Sequence, residues 1–429
     1  MNWSIFELYS MAMGETLHLE LPFFANLLFL LVLARVLGEI FEHFRQPAMI
    51  GEITAGIILG PSVLQITYFN EELKVFSEMA VFLLVIMAGL EINPKDIRGA
   101  MMGKKIWIAI LGFVIPIASG FLVGYLFQLD IMISIFLALC ISITALPVSI
   151  RILIDLGKLH SDIGQKIIAV AIFNDVIALM ILGILIDIRG EASTFSEIAS
   201  TTGVSLLKVL GFLLFVVIAY KIIDRATQKV DFIKEQTDRL LNFLKGKESL
   251  FAIIFCFILV FASISESAGL HFIVGAFFGA MLITENLLGK ENFKQLEKTT
   301  TTITMGFLAP IFFAAIGLEF HIQSLNNIPL LLVVVAISFA SKILGGYLGA
   351  RFSGMSHKGS LTIGIGLNAR GIMELVIANI ALQEGIIDIR LFSILVVMGL
   401  LTTMSTPILL KRAFAWIDKD KETAVPEVN

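Results

Sequence analysis

Asp175 is the most costly residue to place in this sequence, because it stands near the middle of an apolar run. That run, Ile167–Ile186, is twenty residues long, and Asn174 and Asp175 are its only polar side chains. A helix of this length crosses the ~30 Å core of a bilayer. A carboxylate at its centre costs ~2.5–3.5 kcal/mol on insertion scales, so it faces protein or water rather than lipid. Asp175 is therefore a candidate ion-binding or proton-binding group, and a purely structural carboxylate is the alternative.

Two further segments could bring oxygen ligands to the same depth. Thr144-Ala145-Leu146-Pro147 interrupts one apolar run, and Asn368-Ala369-Arg370-Gly371 interrupts another. Proline removes an amide from a helix, and glycine weakens it. A broken helix is tolerated inside a membrane only where its freed backbone groups line an internal cavity. We therefore predict two broken helices that place backbone carbonyls and the Thr144 hydroxyl near Asp175.

Three other ionisable residues lie within predicted spans and could assist such a site. Arg370 and Glu374 are four residues apart, so they can pair on one helix face. We interpret them as a structural pair that shapes the crossing of the broken helices. Lys342 is a candidate charge partner for the site. Because its side chain is long, it could instead reach the cytoplasmic interface near Arg351.

This set of groups predicts competition between a cation and a proton. Carboxylate, hydroxyl and carbonyl oxygens are hard ligands that suit a small cation. Burial disfavours the charged form of a carboxylate, so the same group can hold a proton near neutral pH. Ion exchange is then possible at a single residue. No resident metal and no cofactor are expected, because the cation is cargo.

The composition predicts an all-α polytopic membrane protein in which helices position these residues. Hydrophobic residues make up 57% of the 429 residues and charged residues only 15%, which is too little polar surface to cover a soluble body. The net charge of -4 gives no indication of nucleic-acid binding. We predict thirteen spans, at about 22–43, 48–66, 73–91, 105–127, 131–153, 164–187, 203–222, 249–267, 270–288, 303–320, 328–350, 359–383 and 391–411.

Basic residues alternate strongly between the predicted loops. Of the 31 lysines and arginines, 24 fall on one side, four fall inside spans, and only Lys74, Arg189 and Arg390 fall on the other side. Cytoplasmic loops carry the excess of basic residues. We therefore predict a multi-pass protein of the cell (inner) membrane, with the N-terminus outside and the C-terminus in the cytoplasm.

An internal match indicates two repeats of six spans. Gly89-Leu90-Glu91 and Gly317-Leu318-Glu319 end similar apolar segments that lie 228 residues apart. Spans one to six then correspond to spans eight to thirteen. Because corresponding spans are seven apart, an odd number, the two repeats cross the membrane in opposite orientation, as in many secondary transporters. Residues 1–429 are predicted to form a single transporter domain. Its parts are repeat one at about 22–187, span seven with an amphipathic cytoplasmic linker helix at 203–247, repeat two at about 249–411, and a short cytoplasmic tail at 412–429.

Several motifs together resemble the monovalent cation:proton antiporter superfamily over residues 20–412. They are QPAMIGEITAGIILGPS at 46–62, FLLVIMAGLEI at 82–92, FNDV at 173–176, SKILGGYLGAR at 341–351 and NARGIMELVIANIALQEGII at 368–387. The last motif is similar to that of the potassium-linked exchangers of plants and some bacteria. The resemblance includes the Kef-type exchangers.

The resemblance implies roles for particular residues. Asp175 matches the essential ion-binding aspartate, and Asn174 stands where some members carry a second aspartate. Lys342 matches the basic residue that faces this pair, and Thr144 matches the unwound crossing. Since Asn174 is neutral, Lys342 must find another partner or be neutral during part of the cycle. The resemblance also implies a homodimer in which an ion-binding core moves.

We expect a secondary antiporter that exchanges Na⁺ or K⁺ for H⁺ by alternating access, with one cation per proton and with no enzymatic activity. A sodium-coupled symporter of a small organic anion is the alternative, in which Arg370 and Lys342 would have to anchor the anion. A channel fits less well, because broken helices around one carboxylate indicate a saturable site. An intramembrane aspartyl protease would need a second aspartate at mid-depth, and Asp130, Asp155 and Asp187 are all terminal.

Overall fold

The computed structural model describes residues 22–44, 46–92, 103–159, 161–188, 195–228 and 247–423. Within these ranges the regular elements are all helical, as the composition predicts. Most of the predicted linker helix, 229–246, lies outside the described residues. The last six residues of the predicted tail, 424–429, also lie outside them.

The helices pack into two bundles, which we call the first and the second bundle. The first bundle contains α1 (Phe23–His43), α2 (Ala48–Leu59), α3 (Glu71–Leu90), α9 (Lys247–Ser267), α10 (Phe272–Met281), α12 (Lys290–Ile303) and α13 (Ala309–Glu319). The second bundle contains α4 (Ile106–Leu126), α5 (Ile131–Ser142), α6 (Leu146–Asp155), α7 (Asp162–Ile188), α14 (Ile328–Phe352), α15 (His357–Gly366), α16 (Ile372–Gln383) and α17 (Ile389–Thr423). Helix α8 (Phe195–Gln228) packs on α7, and the short α11 (Glu285–Leu288) precedes α12.

Eight helices in the described part of the chain are long and apolar enough to cross a membrane. Four shorter apolar helices, α2, α5, α10 and α16, accompany them. Many surfaces of the long helices expose large apolar side chains, such as Leu332 on α14 and Leu214 on α8. In a membrane these side chains face lipid, so their exposure costs nothing there.

Polar caps begin several of the helices at the ends of the bundles. Asn70 accepts a hydrogen bond from the Leu73 amide at the start of α3, and Asp130 accepts one from the Met132 amide at the start of α5. Such caps satisfy amides that have no partner within the helix. Short polar caps placed between apolar runs therefore fix where these helices start.

Glycines allow close contact between helices in both bundles. Helix α14 packs on α4 through its glycines, and a Cβ added to Gly345 would lie 2.5 Å from the Leu111 carbonyl oxygen. In the first bundle, a Cβ on Gly56 would lie 1.9 Å from the Ala314 oxygen, so α2 and α13 touch backbone to backbone. A side chain at either glycine would force the two helices apart, which is the reason that small residues mark helix contacts in membranes.

Several predicted span boundaries need correction. The second span was predicted at 48–66, but α2 ends at Leu59 because the backbone of Gly60 is extended and Pro61, which has no amide hydrogen to donate, follows it. The tenth was predicted at 303–320, but α12 runs into α13 through a π-helical turn at Thr304–Leu308. The two predicted broken helices are confirmed: the spans at 131–153 and 359–383 each consist of two half-helices, α5 with α6 and α15 with α16.

Candidate ion-binding site

Asp175 lies inside the second bundle, at the middle of α7. Its side chain is 1% exposed, and neither carboxylate oxygen has a hydrogen-bond partner among the described residues. Buried polar atoms in proteins nearly always have partners, and an exception needs a water, an ion or a functional role to explain it. Asp175 therefore faces the interior, as the sequence predicts, and its two oxygens are available to a ligand.

Thr144, which lies in the first break, connects Asn174, the neighbour of Asp175, to the second break. The Asn174 amide donates to Thr144 Oγ1 at 3.2 Å, and Lys342 Nζ donates to the same oxygen at 2.8 Å. The Thr144 hydroxyl in turn donates to the Leu367 carbonyl at 3.0 Å. A hydroxyl has one proton to donate and two lone pairs to accept with, so Thr144 uses its full capacity here.

The two breaks lie side by side. The first comprises residues 143–145, between α5 and α6, and the second comprises residues 367–371, between α15 and α16. The Ala145 amide donates to the Ala369 carbonyl at 2.8 Å. Each break thus satisfies backbone groups that the other has freed, which makes an interrupted helix tolerable at this depth.

Pro147 and Gly371 act differently from what the sequence suggests. Pro147 was predicted to interrupt its helix, but it is the second residue of α6 and follows the break. Proline suits the first turn of a helix, where its missing amide would have no partner anyway. The backbone of Gly371 is extended, a conformation that any residue can adopt. Glycine is required there because an added Cβ would lie 2.8 Å from the Val148 side chain. Gly364 and Gly366, which precede the break, lie within α15 and do not interrupt it.

Lys342 points inward from α14 and does not reach the cytoplasmic interface. It is fully buried, and Nζ donates to the carbonyls of Gly112 and Ser142 as well as to Thr144 Oγ1. The alternative of a snorkelling Lys342 is therefore wrong. The sequence leaves Lys342 without a second aspartate, and the structure supplies three neutral oxygen acceptors in its place.

Arg370 lies in the second break and caps the C-terminus of α5. Its guanidinium donates to the carbonyls of Cys140 and Ile141, and it forms an ion pair of 3.6 Å with Glu374. Together with Lys342 it gives cationic donors to the last carbonyls of α5, where the helix dipole is negative. The predicted pairing of Arg370 with Glu374 is confirmed, and both side chains are fully buried.

Two further polar residues at the breaks escaped the sequence analysis. Asn368 is 1% exposed, and neither its side-chain oxygen nor its nitrogen has a partner in the described structure. Ser149, in the first turn of α6, is 2% exposed with an unpartnered hydroxyl. Asn368 belongs to a quoted motif, so its position in the break could have singled it out. Ser149 gave no such signal, because buried serines are common in membrane helices.

The arrangement can hold a cation and can release it. The oxygens of Asp175 and the side-chain oxygen of Asn174 are buried and have no hydrogen-bond partner among the described residues, and they are the kind of ligand that alkali cations prefer. The positively charged side chains of Lys342 and Arg370 already donate hydrogen bonds to carbonyls of α5, and Arg370 also forms an ion pair with Glu374. Asp175 is thus left as the carboxylate on which a cation or a proton can bind.

The sequence matches the family described as "Sodium/hydrogen exchanger, transmembrane" over residues 27–416. It is similar to the Na(+)/H(+)-K(+) antiporter GerN of Bacillus cereus, with 29% identity over 405 residues that cover 94% of this chain and 98% of GerN. It is also similar to the Na(+)/H(+) antiporter NhaS4 of Synechocystis, with 30% identity over 90% of this chain and 96% of NhaS4.

The fold is similar to a solved structure, that of the sodium proton antiporter MjNhaP1 from Methanocaldococcus jannaschii at pH 8. The TM-score is 0.62, and the match covers 91% of this chain and 96% of that chain. At 17% identity the likeness concerns the fold.

Proposed function

This chain belongs to the sodium/hydrogen exchanger family and is a cation/proton antiporter of the membrane, and we propose that Na⁺ or K⁺ competes with H⁺ for the carboxylate of Asp175. The observation that carries the proposal is that both Asp175 oxygens are buried inside the second bundle and have no hydrogen-bond partner in the described part of the chain. A carboxylate there is stabilised either by a proton or by a cation. Exchange follows if the two cannot bind together.

Access to Asp175 from the two sides in turn requires one part of the protein to move against another. The contacts between the bundles are limited to a few element pairs, mainly α7 with α10, α3 with α16, and α17 with the turn at Ile322–Ser324. Contacts within each bundle are far more extensive. This division supports a mechanism in which the second bundle carries Asp175 and moves against the first.

We further propose thirteen spans in two inverted repeats. The eight long helices, the four shorter apolar helices and α8 correspond one to one with the predicted spans. Glycine contacts also correspond: Gly56 on α2 packs on α13, and Gly89 on α3 packs on α10, where an added Cβ would lie 2.6 Å from the Phe277 oxygen. If α2 corresponds to α10 and α3 to α13, these two contacts are related by the repeat.

The excess of basic residues on one side supports an N-terminus outside and a C-terminus in the cytoplasm, in the inner membrane. A homodimer is proposed on the resemblance to the superfamily. The expected alternative, a sodium-coupled anion symporter, finds no support, because both relatives described above are cation/proton antiporters by name. Arg370, moreover, is engaged by Cys140, Ile141 and Glu374 and is not available to an anion.

The test is Asp175→Asn in proteoliposomes that contain a pH-sensitive dye. The amide cannot lose a proton, so we expect proton movement driven by Na⁺, K⁺, Li⁺ or Rb⁺ gradients to fall to the level of protein-free vesicles. Asp162→Asn is the matched control, because Asp162 begins the same helix but is exposed and pairs with Lys166. It should keep exchange. The same series of cations run with the unchanged protein identifies the preferred ion.

Retained cation-dependent exchange in Asp175→Asn, with the protein inserted and folded, would remove Asp175 from the mechanism. Equal loss in Asp162→Asn would also contradict the proposal, because it would show that α7 does not tolerate substitution anywhere. Binding of the cation to purified protein gives a second measurement that does not depend on transport. It should disappear in Asp175→Asn and persist in Asp162→Asn.

A further inference from the structure

An open crevice of about 620 Å³ lies where the two bundles meet, at the end away from the basic loops. The first bundle contributes Glu71, Lys74 and Glu319 to its wall, and the second contributes Gln383 and Ile389. These residues stand at the start of α3, the ends of α13 and α16, and the start of α17. In the proposed orientation this is the outer end of the protein.

Glu319 links the bundles at the wall of this crevice. One carboxylate oxygen accepts from the Asn379 amide at 2.9 Å, and the other accepts from the Gln383 amide at 2.8 Å. Glu319 ends α13, while Asn379 and Gln383 are one turn apart on α16. A carboxylate that accepts two amide donors forms charge-assisted hydrogen bonds, which are stronger than those between neutral groups. Both hydrogen bonds of Glu319 therefore cross the boundary between the two bundles, where movement is proposed.

The segment after α13 adds a third contact between the bundles. The His321 amide donates to the Ser393 hydroxyl of α17 at 3.3 Å. The same segment is tied to its own bundle by Ser62, whose hydroxyl donates to the Phe320 carbonyl at 2.7 Å and accepts from the Ile322 amide at 3.1 Å. The end of α13 is thus held by the first bundle while it contacts α16 and α17 of the second.

The contact lies above the candidate site along α16. Asn379 is seven residues from Ile372, where α16 leaves the second break, and this corresponds to ~10 Å of helix. Val376 lies between them, one turn below Asn379 on the same face, and is fully buried.

We propose that Glu319, Asn379 and Gln383 form an outer latch at the wall of this crevice, which closes the passage from the crevice to Asp175. Release of these hydrogen bonds lets α16 separate from α13 and opens the site to the outside. The proposal rests on the alternating access proposed above, and it assigns Glu319 a conformational part rather than a place among the ion ligands. A molecule without the latch should populate the outward-open state more often.

The test measures thiol accessibility, which does not require transport. Val376→Cys serves as the reporter in a protein that also carries Cys140→Ala and Cys256→Ser, and a membrane-impermeant maleimide is added to right-side-out vesicles. Glu319→Ala removes the latch. Glu71→Ala is the matched control, because Glu71 lines the same crevice with the same charge but makes no hydrogen bond to the second bundle among the described residues. The series is repeated with Asp175→Asn added.

Loss of two hydrogen bonds to a charged group should shift the population by tenfold or more, so Glu319→Ala should raise the labelling rate by at least about tenfold. Glu71→Ala should leave the rate unchanged, and Asp175→Asn should not alter the difference. If Glu319→Ala does not fold, Asn379→Ala combined with Gln383→Ala should give the same increase.

Equal labelling rates for the Glu319 and Glu71 variants would overturn the latch, as would labelling that increases only from the cytoplasmic face. Because the readout persists without exchange, its failure is separate from failure of the proposed function. If Asp175→Asn keeps exchange while Glu319→Ala still increases labelling, the latch stands and the assignment of Asp175 does not.

Discussion

At the level of single residues, Thr144 has the most demanding position in the site. Its hydroxyl accepts from Asn174 and Lys342 and donates to the Leu367 carbonyl. Thr144 thereby orders Asn174, which is next to Asp175, the buried side chain of Lys342, and the second break at Leu367. The sequence predicts that the Thr144 hydroxyl is an ion ligand, but this hydroxyl already has three partners, so we infer that it positions the residues around the cation.

Thr144→Val tests this position at nearly constant volume. The valine leaves the Leu367 carbonyl without a donor and removes an acceptor from Lys342 and Asn174. An unsatisfied buried group costs ~1–3 kcal/mol, so we expect a lower melting temperature and greatly reduced exchange. Thr144→Ser retains the hydroxyl and should keep most of the exchange rate. Equal exchange by the valine and serine variants would contradict a role for the hydroxyl.

At the level of elements, the C-terminus of α5 explains why two positively charged side chains, Arg370 and Lys342, are buried beside a candidate site for a cation. Arg370 donates to the Cys140 and Ile141 carbonyls, and Lys342 donates to the Ser142 carbonyl. These carbonyls are freed because α5 stops at mid-depth, where water is absent. The side chains of Arg370 and Lys342 therefore stabilise the C-terminus of α5, and the carboxylate of Asp175 need not neutralise their charges directly.

Arg370→Met and Glu374→Gln separate the capping of α5 from the ion pair. Removal of one member of a buried ion pair typically costs ~3–5 kcal/mol. Arg370→Met also leaves two carbonyls without donors, so it should lower the melting temperature more than Glu374→Gln, which keeps both of these hydrogen bonds. Thermal unfolding in detergent, followed by tryptophan fluorescence, compares the two. A larger loss of stability for Glu374→Gln would show that the ion pair matters more than the cap.

At the level of the whole molecule, a single titrating carboxylate sets the charge balance of the exchange cycle. If Asp175 carries one cation in one direction and one proton in the other, no net charge crosses the membrane. Lys342 would change this balance only by releasing a proton in each cycle. In the structure Lys342 Nζ donates hydrogen bonds to three neutral oxygens, the carbonyls of Gly112 and Ser142 and the Thr144 hydroxyl.

Current measurements on a solid-supported membrane test the balance. We expect cation gradients to acidify or alkalinise the vesicle interior without a transport current above that of Asp175→Asn. A current that scales with the cation gradient and persists after the pH gradient is collapsed would contradict one-for-one exchange. Lys342→Met should then abolish that current if Lys342 is the second group that releases a proton.

The sequence alone determined the membrane class, the depth of Asp175 and the approximate positions of the two breaks. Hydrophobicity along the chain reports these features, because a bilayer imposes a fixed thickness and penalises a charge at its centre. The sequence also indicated the pairing of Arg370 with Glu374, since four residues apart means the same helix face. Boundaries were less well determined, as at Pro147, because a proline can end one helix or start the next.

Only the tertiary structure decided which atoms these charged groups contact. Lys342 and Thr144 are 198 positions apart, and Glu319 and Asn379 are 60 apart and belong to different bundles. The same lysine could have reached the interface, and the same glutamate could have faced water. Local pattern does not distinguish these outcomes, because they depend on how helices that are distant in the chain pack together. The neutral partners of Lys342 and the contacts of Glu319 between the bundles follow from that packing.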